Sequence, residues 1–181
     1  MKPLKIAHHL WQKHLECKES CVIDATCGNG HDSLFLASLK GVTLHCVDIQ
    51  ELAIENTKKR LFLHPKTLFH HRSHNDLSFI KEPIDLIVYN LGYLPGSDKT
   101  VITTPDESLS SLKSALSIIK PQGMISLMIY TGHNGGEEEK VKIFSFLEQI
   151  AAKWSISHIT HPFKLSCPEI LVISSNSIYI N

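Results

Sequence analysis

The sequence predicts a doubly wound α/β sandwich: a seven-stranded, mostly parallel sheet with helices on both faces and an antiparallel strand near the C-terminus. Three observations carry this. Short apolar runs alternate with helical periodicity along the 181 residues. The first two of those runs end in an acid, Asp24 and Asp48, and a Gly-rich turn follows the first. No helical stretch separates the last two runs, near 154–160 and 169–175, so they form an antiparallel pair.

The elements follow in order. Residues 4–17 read as a helix on the domain edge, with Leu4, Ala7, His8, Trp11 and Leu15 on one stripe. A strand at 21–25 leads through Gly28-Asn29-Gly30 into a helix at about 31–39, which Gly41 breaks. The second strand is 42–47, ending at Asp48. The next helix, about 50–63, stops before His64-Pro65, because Pro disfavours helix in its predecessor. A short strand lies near 67–71, and Asn75 to Ile80 read as one or two helical turns. Ile84 to Tyr89 form strand 4, with Asn90 at its end. A loop rich in Gly, Pro, Ser and Thr occupies 91–104, a length that suggests function. Pro105 opens a helix to about 119, with Thr104 as N-cap and Glu107 three residues on. Pro121-Gln122-Gly123 is a turn, Met124 to Tyr130 strand 5, and 137–152 a helix. There is no internal repeat or linker, so 1–181 is expected to be a single domain.

Composition limits the function. The chain is 43% hydrophobic, enough for a core. Its formal net charge is zero, so no global field recruits nucleic acid, and any RNA contact must come from a local patch. No apolar run reaches the roughly 18 residues that span a bilayer. The N-terminus lacks an apolar signal core. Five scattered cysteines argue for a reducing, cytoplasmic compartment. The twelve histidines cluster at His8-His9 and His70-His71 with His74, but no second cysteine pair joins Cys17-x3-Cys21 at zinc-site spacing. No metal is expected.

Strand, Gly-rich turn, helix is the entrance to a nucleotide-type site at the C-terminal edge of a parallel sheet. The turn is not the dinucleotide fingerprint, because Ser33 stands where the third Gly belongs. An acid before the loop suits a ligand with a cationic amino-acid end, such as S-adenosylmethionine. Asp48 ends strand 2, where an acid takes ribose hydroxyls. Ile49 would flank an adenine, and His74-Asn75 either reach its edge or start a helix. Asn90 can accept a hydrogen bond from an amine, and Tyr93 can stack on a base, a contact worth ~1–3 kcal/mol. A methyl-accepting amine must lose a proton, and Asp98 and His133 are the candidate acceptors. Either could also be a simple loop residue. Residues 57–74 hold no acid but include Lys58, Lys59, Arg60, Lys66 and Arg72, which read as a solvated face or a phosphate track.

Together these strings resemble one family: the small class I methyltransferases labelled putative rRNA methylases. Its assigned members methylate the 5-aminomethyl group of 5-aminomethyl-2-thiouridine at the tRNA wobble position. The strings are Asp24-Ala25-Thr26-x-Gly28-Asn29-Gly30-His31-Asp32, Asp48-Ile49-Gln50, Ser73-His74, Asn90-Leu91-Gly92-Tyr93-Leu94-Pro95-Gly96-x-Asp98-Lys99 and Gly132-His133-x-Gly135-Gly136. The resemblance implies a Rossmann-like fold with S-adenosyl-L-methionine held by Asp24, Gly28, Asn29, Gly30, Asp48 and Gln50, and the expected cofactor contacts also include Thr26, Ile49, His74, Asn75 and Asn90. It implies a tRNA substrate handled by Asn90, Tyr93, Asp98 and His133, and a monomer or homodimer. Ser33 departs from the family's usual Thr, a change expected to touch packing more than chemistry. The alternatives are methylation of another RNA base or a small amine, or a nucleoside- or RNA-binding module without turnover.

Overall fold

Alternating burial on both faces of the central strands dictates the layering. The computed structural model describes residues 2–91, 105–132, 135–161 and 167–175. The elements are α1 (Pro3–Leu15), β1 (Ser20–Asp24), α2 (His31–Ala37), β2 (Val42–Asp48), α3 (Glu51–Arg60), β3 (Thr67–His71), β4 (Ile84–Leu91), α4 (Pro105–Ile118), β5 (Ile119–Ile129), α5 (Gly136–Ile150), β6 (Trp154–Ile159) and β7 (Glu169–Ser175). The sheet runs β3-β2-β1-β4-β5-β7-β6. β1 to β5 are parallel, and β7 is antiparallel to both of its neighbours.

Side chains alternate between two cores with the period of two that a strand imposes. Ile23, Ile87, Tyr89, Leu127 and Ile129 face α4 and α5, packing on Leu112, Ala115, Ile143 and Leu147. Val22, Leu44, Leu86, Val88 and Met128 face the other way, onto Ala7, Trp11, Leu36 and Ile54 of α1, α2 and α3. Strands buried on both sides read as continuous apolar runs, which is why β1, β2, β4 and β5 stood out in the sequence. Helix α1 packs on α2, β4 and β7, burying Ala7, Trp11 and Leu15.

Two local expectations are corrected. Asn75 to Ile80 form turns, not helix. The Asp76 carboxylate accepts the Ser78 N–H at 2.9 Å, and Leu77 N–H donates to Ser114 Oγ at 2.8 Å, so side chains replace the helical ladder. Pro121-Gln122-Gly123 lies within β5, as a bulge between the pairs Ile84–Ile119 and Leu86–Met124. A Cβ at Gly123 would meet Ile119 Cγ1 at 2.5 Å, so the bulge closes only around glycine. Among the described residues, no helix is long and apolar enough to cross a membrane. The five cysteines are free thiols. Among the described residues, no group of three or more His, Cys, Asp or Glu could hold a metal ion.

Candidate active site

The strand order reverses direction between β1 and β4, and the crevice at such a switch point is where open α/β sheets bind ligands. The tips of β1 and β4 are tied there. Ala25 N–H donates to Val88 O at 3.0 Å, and Asn90 N–H to Thr26 Oγ1 at 2.8 Å.

The Gly-rich turn is fastened from two sides. Asp48, at the tip of β2, accepts Gly28 N–H and Gln50 N–H, each at 2.9 Å. Thr57 of α3 donates to Gly28 O at 2.9 Å. Gly30 lies at φ 76°, and a Cβ there would meet Thr57 Oγ1 at 2.9 Å, so the turn requires glycine on both counts. Asp48 thus presents a carboxylate at the tip of β2, an acceptor of the kind that ribose hydroxyls require. Burial raises the Asp48 carboxyl above the usual range, against the pull of the backbone N–H groups of Gln50, Gly28 and Ile49. Ile49 beside it is 52% exposed, an apolar face available to a base.

Asp24 is 2% exposed. Burial, and then the negative charge of Asp32, push its carboxyl up to about 7. Ser33 Oγ donates to it at 2.5 Å and Thr26 N–H at 3.3 Å. The Ser33 hydroxyl therefore works directly on the site carboxylate, a bond that a Thr at this position would supply equally. A buried carboxyl raised by a second acid beside it marks a site short of a cation. That fits the ammonium and sulfonium end of S-adenosylmethionine.

Asp32 and His8 had no assigned role in the sequence reading. Asp32 bridges His8 Nε2 at 2.8 Å and Asn90 Nδ2 at 3.1 Å. Their pairing was invisible because α1, α2 and β4 meet only in the fold. Tyr130, at the end of β5, is also within hydrogen-bonding reach of the Asn90 amide.

Other candidates land elsewhere. His74 turns inward: it is 7% exposed, edge-on to Tyr89 at 5.9 Å, with burial lowering its imidazole to about 4. Its carbonyl accepts Ser111 Oγ at 2.6 Å, so it fixes the turn after β3, where Asn75 is exposed. The basic stretch divides. Lys59 and Arg60 line a hollow of about 440 Å³ with Asn29, His31 and Asn56. Lys58 lies over Phe69 and Arg72 over Phe79, while Lys66 pairs with Glu19. Asn29 is drawn to α3, its side chain bonded by Asn56 and its carbonyl by Arg60. Tyr93, Asp98 and His133 lie outside the described residues.

Sheet order, Gly-rich turn and acid pair define the class I methyltransferase architecture, whose methyl donor is S-adenosylmethionine. Residues 44–175 match the family described as "Putative rRNA methylase". The chain belongs to that family. It is 37% identical over 161 residues to the Arabidopsis thaliana "tRNA (mnm(5)s(2)U34)-methyltransferase, chloroplastic", a match covering 80% of this chain and 58% of that protein. A crystal structure described as a "putative rRNA-methylase" from Clostridium thermocellum superposes with a TM-score of 0.90 at 31% identity, covering 97% of this chain and 98% of the other. A Streptococcus mutans protein described as "a putative methyltransferase", solved with S-adenosylhomocysteine, gives 0.86 at 26% identity, with the same coverage of 97% and 98%.

Proposed function

We propose that this protein methylates an exocyclic amine on RNA: the 5-aminomethyl group of 5-aminomethyl-2-thiouridine at the tRNA wobble position. The observation that carries the reading is the set of hydrogen bonds made by Asn90. Its N–H is held by Thr26, and its amide NH2 by Asp32. A carboxylate accepts only, so the Asn90 carboxamide oxygen is the atom left to accept an N–H from a substrate amine. The family membership and the tRNA-modifying plant relative support RNA as the carrier of that amine.

When bound, S-adenosylmethionine supplies an electrophilic methyl group. Asp48 would hold its ribose, Asp24 and Asp32 its cationic end, and Ile49 its base. The amine lone pair forms the new N–C bond as the methyl–sulfur bond breaks, and the nitrogen releases a proton. Asn90 contributes by fixing the direction of that lone pair, and such alignment is worth roughly 7–11 kcal/mol in well-oriented reactions. Tyr93 is assigned to the base face, and Asp98 or His133 to the proton. The free thiols support action in a reducing compartment, the cytoplasm in our reading.

The test is single-turnover methyl transfer to tRNA with and without the aminomethyl group. Transfer requires that group. Asn90→Ala lowers the rate by about 10-fold or more while the cofactor dissociation constant hardly moves, since the lost contact acts in the transition state. A full rate in Asn90→Ala refutes the assignment of the acceptor site.

A further inference from the structure

The N-terminal helix reaches the candidate acceptor site through one side chain. Ala7, Trp11 and Leu15 are buried and fix α1 against the sheet and α2. This presents His8 to α2, where its ring stacks on Phe35 with centroids 3.9 Å apart and planes 7° from parallel. The stacking leaves the ring little rotational freedom and aims Nε2 at Asp32 Oδ1, 2.8 Å away. The other oxygen, Oδ2, accepts from Asn90 Nδ2 at 3.1 Å. One carboxylate is thus held by an imidazole on one oxygen and holds a carboxamide with the other.

We propose that His8 is a positioning residue: through Asp32 it fixes the rotamer of Asn90 so that the carboxamide oxygen faces the acceptor amine. The inference rests on the reading of Asn90 given above. The physical argument concerns the two ends of an amide. A carboxamide that flips presents NH2 instead of oxygen, and NH2 cannot accept the amine N–H. Asp32 prevents the flip because it can only accept, but it does so only while its own carboxylate stays in plane. His8 holds that carboxylate from the opposite side. Asp32 itself is a poor probe, because its charge also acts on Asp24, so replacing it disturbs the cofactor end as well. His8 touches neither Asp24 nor Asn90 directly.

Two substitutions separate positioning from stapling of the helix. His8→Phe keeps the ring stacked on Phe35 but removes the N–H. His8→Gln loses the stacking but restores a donor toward Asp32. The full-length protein is assayed with aminomethyl-bearing tRNA. His8→Phe is expected to lower kcat by about 10- to 100-fold, the scale of a misaligned reacting group. The cofactor dissociation constant and Tm stay near wild type, and His8→Gln regains much of the loss. In an Asn90→Ala background, His8→Phe adds nothing further, because the two act as one unit. A measurement free of turnover is the side-chain amide signal of Asn90 in nitrogen-edited NMR. His8→Phe moves it toward the solvent-averaged position, and His8→Gln does not. Full kcat or an unmoved amide signal in His8→Phe, alongside a slow Asn90→Ala, overturns the inference alone. A full rate in Asn90→Ala overturns the reading beneath it.

Discussion

Replacing Asp24 by Asn should stabilise the ligand-free protein and weaken its grip on the cofactor. The carboxyl rises from 3.8 to about 7, first because it is buried and then because Asp32 is close. That rise corresponds to ~4 kcal/mol of stability lost once the group is ionised, at ~1.4 kcal/mol per pH unit. The folded-state value is the higher one. The stability tied to this group is therefore complete below pH 3.8 and is lost as pH rises through about 7. Asp24→Asn removes the ionisation but weakens the bonds from Ser33 and Thr26, at a cost of ~1–3 kcal/mol, which leaves a net gain of ~1–3 kcal/mol at pH 8. In denaturant titrations at fixed pH, the variant should be less stable than wild type by ~1–3 kcal/mol at about pH 4, draw level as pH rises, and be the more stable by ~1–3 kcal/mol once the difference levels off above about pH 7. Cofactor binding moves the opposite way. Losing a charged partner for the ligand ammonium costs ~1.5–3 kcal/mol, a dissociation constant about 10- to 100-fold weaker by calorimetry. Wild-type affinity should also fall as Asp24 protonates on going from about pH 7 to about pH 5.5, where the ligand α-amine (~7.7–8.0) stays charged, and the variant should be flat. A ligand-free Asp24→Asn protein less stable than wild type at pH 8, or one that binds the cofactor normally, refutes the reasoning.

Two further substitutions test the frame around that carboxylate. Gly30→Ala forces a side chain into φ 76° and against the buried Thr57, whose hydroxyl secures Gly28 O, so urea unfolding should show a loss of ~2–4 kcal/mol and the cofactor should bind more weakly. Lys59→Glu should weaken tRNA binding and reduce the slope of log affinity against log salt by about one, with cofactor affinity unchanged, whereas Arg72→Gln should change the slope less because Arg72 lies over Phe79 at the other end of the stretch. An unchanged salt slope in Lys59→Glu moves the RNA surface away from this hollow.

The parts of the site legible in the sequence are those held by backbone geometry. Asp24, Asp48 and the Gly28–Gly30 turn sit at strand tips whose positions follow from apolar runs buried on both faces. Asn90 was readable for the same reason, one residue inside the end of β4. The side chains that set its orientation were not. His8 stood on the packing stripe of the first helix and in the His8-His9 pair, but only the approach of α1 to α2 gives it Asp32 and Phe35. Ser33 read as a missing glycine, yet its hydroxyl bonds Asp24. His74 carried a ligand's residue type, and only the burial imposed by Tyr89 and Ser111 turns it into a packing element. Asn75 to Ile80 carried helical spacing, but Asp76 and Ser114 capture the N–H groups a helix would need. Long-range partners decide each of these, and local pattern does not encode them.

A formal net charge of zero conceals a segregated surface. Three acids, Asp24, Asp32 and Asp48, gather around the Gly-rich turn, and two of them are raised by burial. Lys59, Arg60 and His31 stand beside the same turn on its outer side, where Arg60 is anchored to Asn29 O at 2.7 Å. A cationic cofactor end is favoured in the first region and a phosphate in the second. The two preferences also exclude: a phosphate pushed toward Asp24 and Asp32 would meet like charge at low dielectric, where repulsion is strongest. On the proposed reading, an RNA strand along the α3 side would therefore offer the pocket a base or its amine, but not its backbone. If the substrate is RNA as proposed, this layout would let a neutral chain take a polyanion, with the discrimination made at the turn between β1 and α2 and not by the overall field.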